Sequence, residues 1–221
     1  MRKILISVEG QTEEEFVKSI LGKYLRQKHT IYVEPVILKT KRVGNQTHRG
    51  GLSKYSKVKK DIQNLLKDSN ATLITTMYDV YQLPSDFPEY NTMPQGTPQQ
   101  QVVHLTEAFE ADINNPRFKA YFSLHEFEAL LFSDPEKIVE AFPDQQNKLS
   151  GLQKIIRNFE TPEDINHDQP PAKRLEGLFT EYKKTIHGYY ISDEIGIKTM
   201  LQHCPHFAAW VRFLTTHSSI E

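Results

Sequence analysis

The sequence predicts an α/β fold: a mainly parallel four-stranded sheet flanked by helices, with a helical C-terminal half. Three observations carry this expectation. Strand-like and helix-like runs alternate as β-α-β-α-β-α-β up to about residue 124, the order that builds a parallel sheet with helices on its faces. Three of the strand-like runs end on acids: Ile4-Leu5-Ile6-Ser7-Val8-Glu9, Ala71 through Tyr78-Asp79, and Phe118 through His125-Glu126. Beyond Glu126 the apolar residues recur at helical spacing only, in segments near 126–132, 135–141, 147–158, 171–186 and 194–203. The expected division is residues 1–133 for the α/β domain and 134–221 for a helical extension packed on it.

Each element has a local reason. Residues 3–8 form an apolar run for the first strand. Thr12 stands as an N-cap for the helix that follows, with Glu15 three residues on as its capping-box partner. Phe16, Ile20, Leu21, Tyr24 and Leu25 give that helix one apolar face. Residues 31–38 read as the second strand, and 44–51, with glycines at 44, 50 and 51, as a flexible loop. A helix over 53–67 turns Val58, Ile62, Leu65 and Leu66 inward. Residues 71–78 form the third strand. A loop over 83–96, carrying Pro84, Pro88 and Pro94, is longer than most connections, a length common among lids and mobile segments. A third helix over 98–113 and a fourth strand over 118–124 complete the sheet.

Composition narrows the class. The 221 residues suffice for one α/β domain with an appendage. No apolar run approaches the roughly 20 residues that span a bilayer, so no membrane association is expected. Arg2 and Lys3 precede an apolar stretch that Glu9 breaks, which argues against a signal peptide. The lone Cys204 excludes an intramolecular disulfide and fits a reducing, cytoplasmic setting. The net charge of −1 hides an asymmetry. Eight basic residues (Lys39, Lys41, Arg42, Arg49, Lys54, Lys57, Lys59, Lys60) run without an acid between them, which leaves −9 for the remainder, since −1 − 8 = −9. Such an arm, with Lys41, Arg42 and Arg49 at its centre, suits the phosphates of DNA or RNA; it is equally the pattern of a solvated surface.

A carboxylate buried at a strand tip costs on the order of several kcal/mol unless a cation or hydrogen bonds compensate. Three such tips suggest one acidic site, and hard divalent cations take oxygen ligands of this kind. The residues that carry the reading are also those of a known domain. Val8-Glu9-Gly10-Gln11-Thr12-Glu13, with a second acid at Asp79, resembles the Toprim domain of topoisomerases, primases and overcoming-lysogenization-defect nucleases. With Leu124-His125-Glu126-Phe127-Glu128-Ala129-Leu130-Leu131-Phe132, Lys173-Arg174-Leu175 and Cys204-Pro205-His206-Phe207, the chain is similar to an uncharacterised bacterial family of Toprim-like proteins, often encoded beside an ABC or SMC-type ATPase.

The resemblance implies a Mg²⁺- or Mn²⁺-dependent nuclease, with a defence role and an ATPase partner. Glu9 is then general acid/base or metal ligand, and Asp79 a metal ligand. The usual Asp-x-Asp motif is here Asp79-Val80-Tyr81, so its second acid is missing. Glu126 or Glu128 is expected to replace it, with Asp86 a weaker substitute. Glu126 and Glu128 share a face only if that segment is extended; in a helix they diverge by roughly 200°. His125 would hold a phosphate or deliver a proton, or is a structural histidine. Glu13 is a supporting acid near the metal, or a favourable charge at a helix N-terminus. Gly10 is expected to serve backbone geometry rather than contact. The His203-Cys204-Pro205-His206 run lacks a second ligand pair for zinc, so Cys204 reads as a core residue beside the packing face Phe207, Trp210, Val211 and Leu214. The other reading is a catalytically inert Toprim scaffold that binds an ATPase or nucleic acid. A nucleotide-transfer enzyme is disfavoured by the lack of a Walker-type glycine loop.

Overall fold

The computed structural model describes residues 1–38, 41–43, 46–48, 52–166 and 169–216, with 41–43, 46–48 and 82 described by their backbone alone. These residues form two units, one spanning Met1–Phe122 with the C-terminal stretch from Thr215, the other Ser123–Leu214.

The first unit contains, in chain order, β1 (Arg2–Val8), α1 (Gln11–Glu15), a π-helical stretch (Phe16–Leu21), α2 (Gly22–His29) and β2 (Ile31–Ile37). There follow β3 (Lys41–Val43), β4 (Gln46–His48), α3 (Tyr55–Leu65), β5 (Ala71–Asp79), α4 (Pro98–Ile113) and β6 (Phe118–Lys119), and β7 (Phe122–Ser123) begins at its end. The main sheet has the order β2-β1-β5-β6, all pairs parallel, and β7 also pairs with β5. β1 and β5 are central and buried along most of their length, through Ile4, Leu5, Ile6 and Val8 in one and Leu73, Ile74, Met77 and Tyr78 in the other. Continuous rather than alternating apolar residues are what a parallel strand covered on both faces requires. The expected α/β fold is the fold observed.

Four local expectations are corrected. The first helix begins at Gln11, not Thr12: Gly10 is its N-cap, no side chain caps it, and Thr12 is buried. The chain turns into the helix at once because the Gly10 carbonyl already accepts the Glu14 N–H at 3.0 Å. Part of the expected loop over 44–51 is strand, since β3 and β4 pair antiparallel with Lys41 opposite His48; the Gly44-Asn45 dipeptide between them is a hairpin signal in the sequence. The fourth strand is not continuous over 118–124 but divides into β6 and β7. Between them the Thr76 hydroxyl takes the place of ladder bonds, accepting from the Tyr121 N–H at 2.9 Å and donating to the Tyr121 carbonyl at 2.8 Å. The proline-rich loop, finally, is anchored. Phe87 is buried and packs edge-on against Tyr55 and Phe109, with ring centroids 4.9 Å from each. Asp86 accepts the backbone N–H of Tyr55 at 2.9 Å and so caps the first turn of α3.

α4 occupies the range expected of it. Thr97 and Gln100 form a reciprocal capping box, Pro98 sits in the first turn, and Asn114 ends the helix in the left-handed region at φ 47°.

In the second unit a buried 3₁₀ segment, Phe127–Ser133, is followed by α5 (Pro135–Glu140), α6 (Leu149–Ile156), α7 (Pro171–Leu178), a π-helical turn (Lys184–Gly188), α8 (Tyr189–His203) and α9 (Pro205–Thr216). Gly196, at φ 72°, breaks the helical path inside α8. Phe207, Trp210, Val211 and Leu214 are the buried face of α9, as their spacing implies, and Cys204 is fully buried with its thiol pushed well up by desolvation. The N-terminus of α9 is closed from a distance: the Glu163 carboxylate accepts the N–H groups of His206 at 2.8 Å and Phe207 at 2.9 Å. Among the described residues no helix is long and apolar enough to cross a membrane.

Two outcomes follow from this packing. A Cβ at Gly22 would lie 2.8 Å from the Val17 carbonyl oxygen and 2.9 Å from Val33 Cγ2. Gly22→Ala is therefore expected to destabilise by about 1–3 kcal/mol, read as a lower urea midpoint at unchanged slope. Burial pushes the Glu163 carboxyl up to about 7 from 4.5, against the opposing pull of its two amide donors. A carboxyl whose pKa is raised by folding gives stability that is complete below pH 4.5 and is lost as pH rises through 7. The loss amounts to about 3 kcal/mol at 1.36 kcal/mol per pH unit. Denaturant melts of wild type between about pH 5 and 8 should show this decline, and Glu163→Gln should flatten it.

Candidate functional site

The order β2-β1-β5-β6 means that the chain leaves β1 for one side of the sheet, then crosses back to the other side of β1 to form β5. Chain direction across the sheet thus reverses between β1 and β5. In open α/β sheets, ligands bind in the crevice that this reversal leaves at the carboxyl ends of the strands. Val8 and Met77 are in register there, so the residues that emerge into the crevice are Glu9, just past β1, and Asp79, the last residue of β5.

These two residues are joined. The Asp79 N–H donates to Glu9 Oε1 at 2.6 Å, and both side chains are buried, at 7% and 4% exposure. Glu13, in the first turn of α1, is buried to the same degree, at 4%. Its carboxylate reaches back over the turn, and a Cβ at Gly10 would come within 3.1 Å of Glu13 Oε2. This corrects the role expected for Gly10. Its dihedrals, φ −145° and ψ −174°, are ordinary extended backbone, so what glycine supplies here is room for the Glu13 carboxylate. The hydroxyl of the fully buried Tyr78, next to Asp79 in the chain, donates to Ser7 Oγ at 2.7 Å. Desolvation first, and the Glu9 charge among the lesser causes, hold that phenol well above its ordinary range and therefore neutral.

Glu126 and Glu128 belong to the second unit and have separate partners there. Glu126 is extended and precedes the 3₁₀ segment; its Oε2 accepts the Ala172 N–H at 3.1 Å in the first turn of α7. Glu128, within the 3₁₀ segment, is fully buried and its Oε2 pairs with Lys184 Nζ at 3.0 Å. Close by, the buried Tyr182 phenol is raised far above its ordinary pKa by desolvation and then by Glu128. His125 is buried as well. Asp86 is committed to capping α3. Of the basic arm, Lys41 and Arg42 lie in β3, whereas Arg49 lies outside the described residues. Lys59 pairs with Asp112 at 2.9 Å.

Among the described residues, no group of three or more His, Cys, Asp or Glu side chains is arranged to hold a metal ion. Mg²⁺ nonetheless asks little of a protein: one or two carboxylates, the remaining positions going to water and substrate phosphate. Glu9 and Asp79 supply that oxygen-only pair at a crevice, so the residues present fit the ion as a partial ligand set.

A family model described as a domain of unknown function, DUF4276, matches residues 8–215, and the chain belongs to that family. The match opens on Val8, the residue before Glu9, and runs through both units. No curated protein and no solved structure matches the chain.

Substitutions at Glu9 separate its charge from its hydrogen bond. Glu9→Ala takes from the buried Asp79 amide this acceptor and is expected to cost about 1–3 kcal/mol. Glu9→Gln keeps an acceptor oxygen and removes one of the buried charges, so urea melts should place it near or above wild type in metal-free buffer.

Proposed function

We propose that the protein is a divalent-metal-dependent nuclease that cleaves phosphodiester bonds in DNA or RNA, with Glu9 and Asp79 at its centre. The observation that carries this reading is the buried Glu9–Asp79 junction at the point where chain direction reverses in the sheet. Burying carboxylates in that crevice opposes folding unless hydrogen bonds or a cation compensate them, and an oxygen pair of this type suits a hard cation. A bound Mg²⁺ or Mn²⁺ would supply the chemistry the side chains lack: a polarised phosphoryl group and a stabilised leaving oxygen. Asp79 would bind the ion. Glu9, fixed in orientation by the Asp79 amide, would bind it too or take the proton of the attacking water at Oε2. The buried Glu13 adds a further carboxylate in the first turn of α1, and the Tyr78 phenol, bonded to Ser7, stays neutral. The resemblance adds Glu126 or Glu128 as a ligand and His125 as a phosphate or proton contact. It is also the sole support for a role in defence with a neighbouring ATPase.

One observation favours the inert scaffold. Tyr81 stands where the resemblance calls for a second aspartate, and it is 68% exposed, a large aromatic facing solvent. Exposed aromatics of this kind are common at protein interfaces.

Metal-dependent melting decides between the two. For an enzyme, millimolar Mg²⁺ or Mn²⁺ should raise the wild-type melting temperature, by an amount equivalent to about 2.7 kcal/mol at one hundred times Kd. Asp79→Asn should keep the metal-free melt, lose the response to metal, and lose at least about 100-fold in cleavage of a labelled oligonucleotide. Glu126→Gln and Glu128→Gln should reduce cleavage if either is a ligand. A wild-type melt indifferent to both ions, with no cleavage, would decide for the scaffold.

A further inference from the structure

On the first unit, the helix that follows Glu9 encloses a basic concavity unrelated to the arm at residues 39–60. It has a volume of about 260 Å³ and is bounded by Lys18, Lys23, Arg26 and Gln27 on the helix and by Tyr32 and Val33 at the start of β2. We propose that this concavity is a binding site for the phosphodiester backbone of a nucleic acid.

Three features of the chain build it. Gly22 lies between the cationic side chains, and the space its missing side chain leaves is close to Val33, which is why the helix sits directly on β2 there. The stretch from Phe16 to Leu21 is π-helical, and its last bond runs from the Gly22 N–H back to the Val17 carbonyl. A π turn carries one residue more than an α turn, so Lys18 comes into line with Lys23, five residues on; insertions of this kind recur at functional sites. Arg26, one turn further, places its guanidinium 5.6 Å above the ring of Tyr32. The guanidinium carries a planar fork of donors, the geometry that binds phosphate through two parallel hydrogen bonds.

Charge and size identify the ligand. Three cations and no acid line the concavity. Of these cations, Lys18 has an exposed contact with Glu15 at 3.8 Å, which is worth little in water. Among the described residues Lys23 and Arg26 make no ion pair. The volume falls below the roughly 300–1,000 Å³ of small-molecule pockets, so it suits a phosphate group rather than a whole nucleotide. Its place also fits a backbone contact. Tyr32 is in register with Lys3, and Val8 lies five residues further along β1. At about 3.3 Å per residue the concavity stands roughly 17 Å from the Glu9 end of the sheet. With one phosphate per roughly 3.4 Å of each strand, that is about five nucleotides. A chain held here would be anchored outside the acidic crevice.

The inference rests on nucleic acid being the substrate class, so it is tested by binding alone, in buffer without divalent cations, where the cleavage reading has no part. Fluorescence anisotropy with a labelled single strand of about 20 nucleotides and the corresponding duplex, in DNA and RNA form, is measured between about 50 and 200 mM salt. All substituted residues are exposed, and circular dichroism confirms the fold of each variant. The double variant Lys23→Gln/Arg26→Gln is expected to bind at least about tenfold more weakly. It should also lower the log–log salt slope by roughly one to two units, at about 0.9 for each duplex phosphate no longer neutralised. Lys28→Gln, on the same helix but outside the concavity, should stay within about twofold of wild type. Arg26→Lys should fall between the two. Wild type that binds no nucleic acid overturns the proposal, as does a double variant equal to wild type or to Lys28→Gln. Inorganic phosphate that raises the melting temperature of wild type but not of the double variant, with no oligonucleotide binding, would make this a small-phosphate site and overturn it too. None of these outcomes alters the metal-dependent melting at Glu9 and Asp79, so the two readings fail separately.

Discussion

The hydrogen bond from the Asp79 amide to the Glu9 carboxylate is the contact on which the candidate site depends. It joins the ends of two parallel strands that no turn connects, since nearly seventy residues of chain, among them the helices through His29 and α3, separate them. The pairing of β1 with β5 brings the two residues to one level, and the reversal of strand order opens the crevice above them. A carboxylate buried in that position opposes folding by about several kcal/mol unless hydrogen bonds or a cation compensate it, and the Asp79 amide supplies one such bond. On the proposed reading the pair is kept for a ligand, and its oxygen-only chemistry suits a hard cation.

Burial of an acid is not by itself a sign of chemistry in this molecule. Glu163 and Glu126 are also buried, and each satisfies backbone N–H groups at the start of a helix that lies far away in sequence, α9 and α7 respectively. The exposed Asp86 likewise accepts a backbone N–H at the start of α3. Glu110 accepts the Ala120 N–H between β6 and β7. Remote acids thus replace local caps: α3 and α7 both lack a side-chain cap at their own N-cap position. Helix N-termini attract negative charge, so these carboxylates have a sufficient structural reason. Glu9 differs because its donor is the end of a strand. Asp79 differs because it supplies that donor from its own backbone.

This distinction also marks what was legible in the sequence. The alternation of elements, the range of α4, the buried face of α9, and the strands that lead into Glu9 and Asp79 follow from periodicity, and all are found. What local pattern does not show is which strands become neighbours. The reversal between β1 and β5, which gives Glu9 and Asp79 their meaning, is a property of topology. The same limit lies behind the differences. Thr12 has the residue type of an N-cap, yet tertiary packing buries it and the turn closes two residues earlier on Gly10. The break between β6 and β7 comes from a hydroxyl, Thr76, that lies far away in the chain. The cationic concavity of the first helix is hidden in the sequence because apolar residues and Gly22 separate its cations, whereas the basic run at 39–60 is uninterrupted. A signal was present in Lys18, Lys23 and Arg26 flanking a glycine on one helix, but only the π turn brings them together.

The central claim is that Glu9 and Asp79 form the protein part of a cation site, and crystals soaked in Mn²⁺ test it most directly. The expected result is an anomalous-scattering peak within about 2.0–2.3 Å of an oxygen from each carboxylate, absent from Asp79→Asn crystals soaked in the same way. Carboxylates that remain in place with no peak between them at millimolar Mn²⁺ would contradict it.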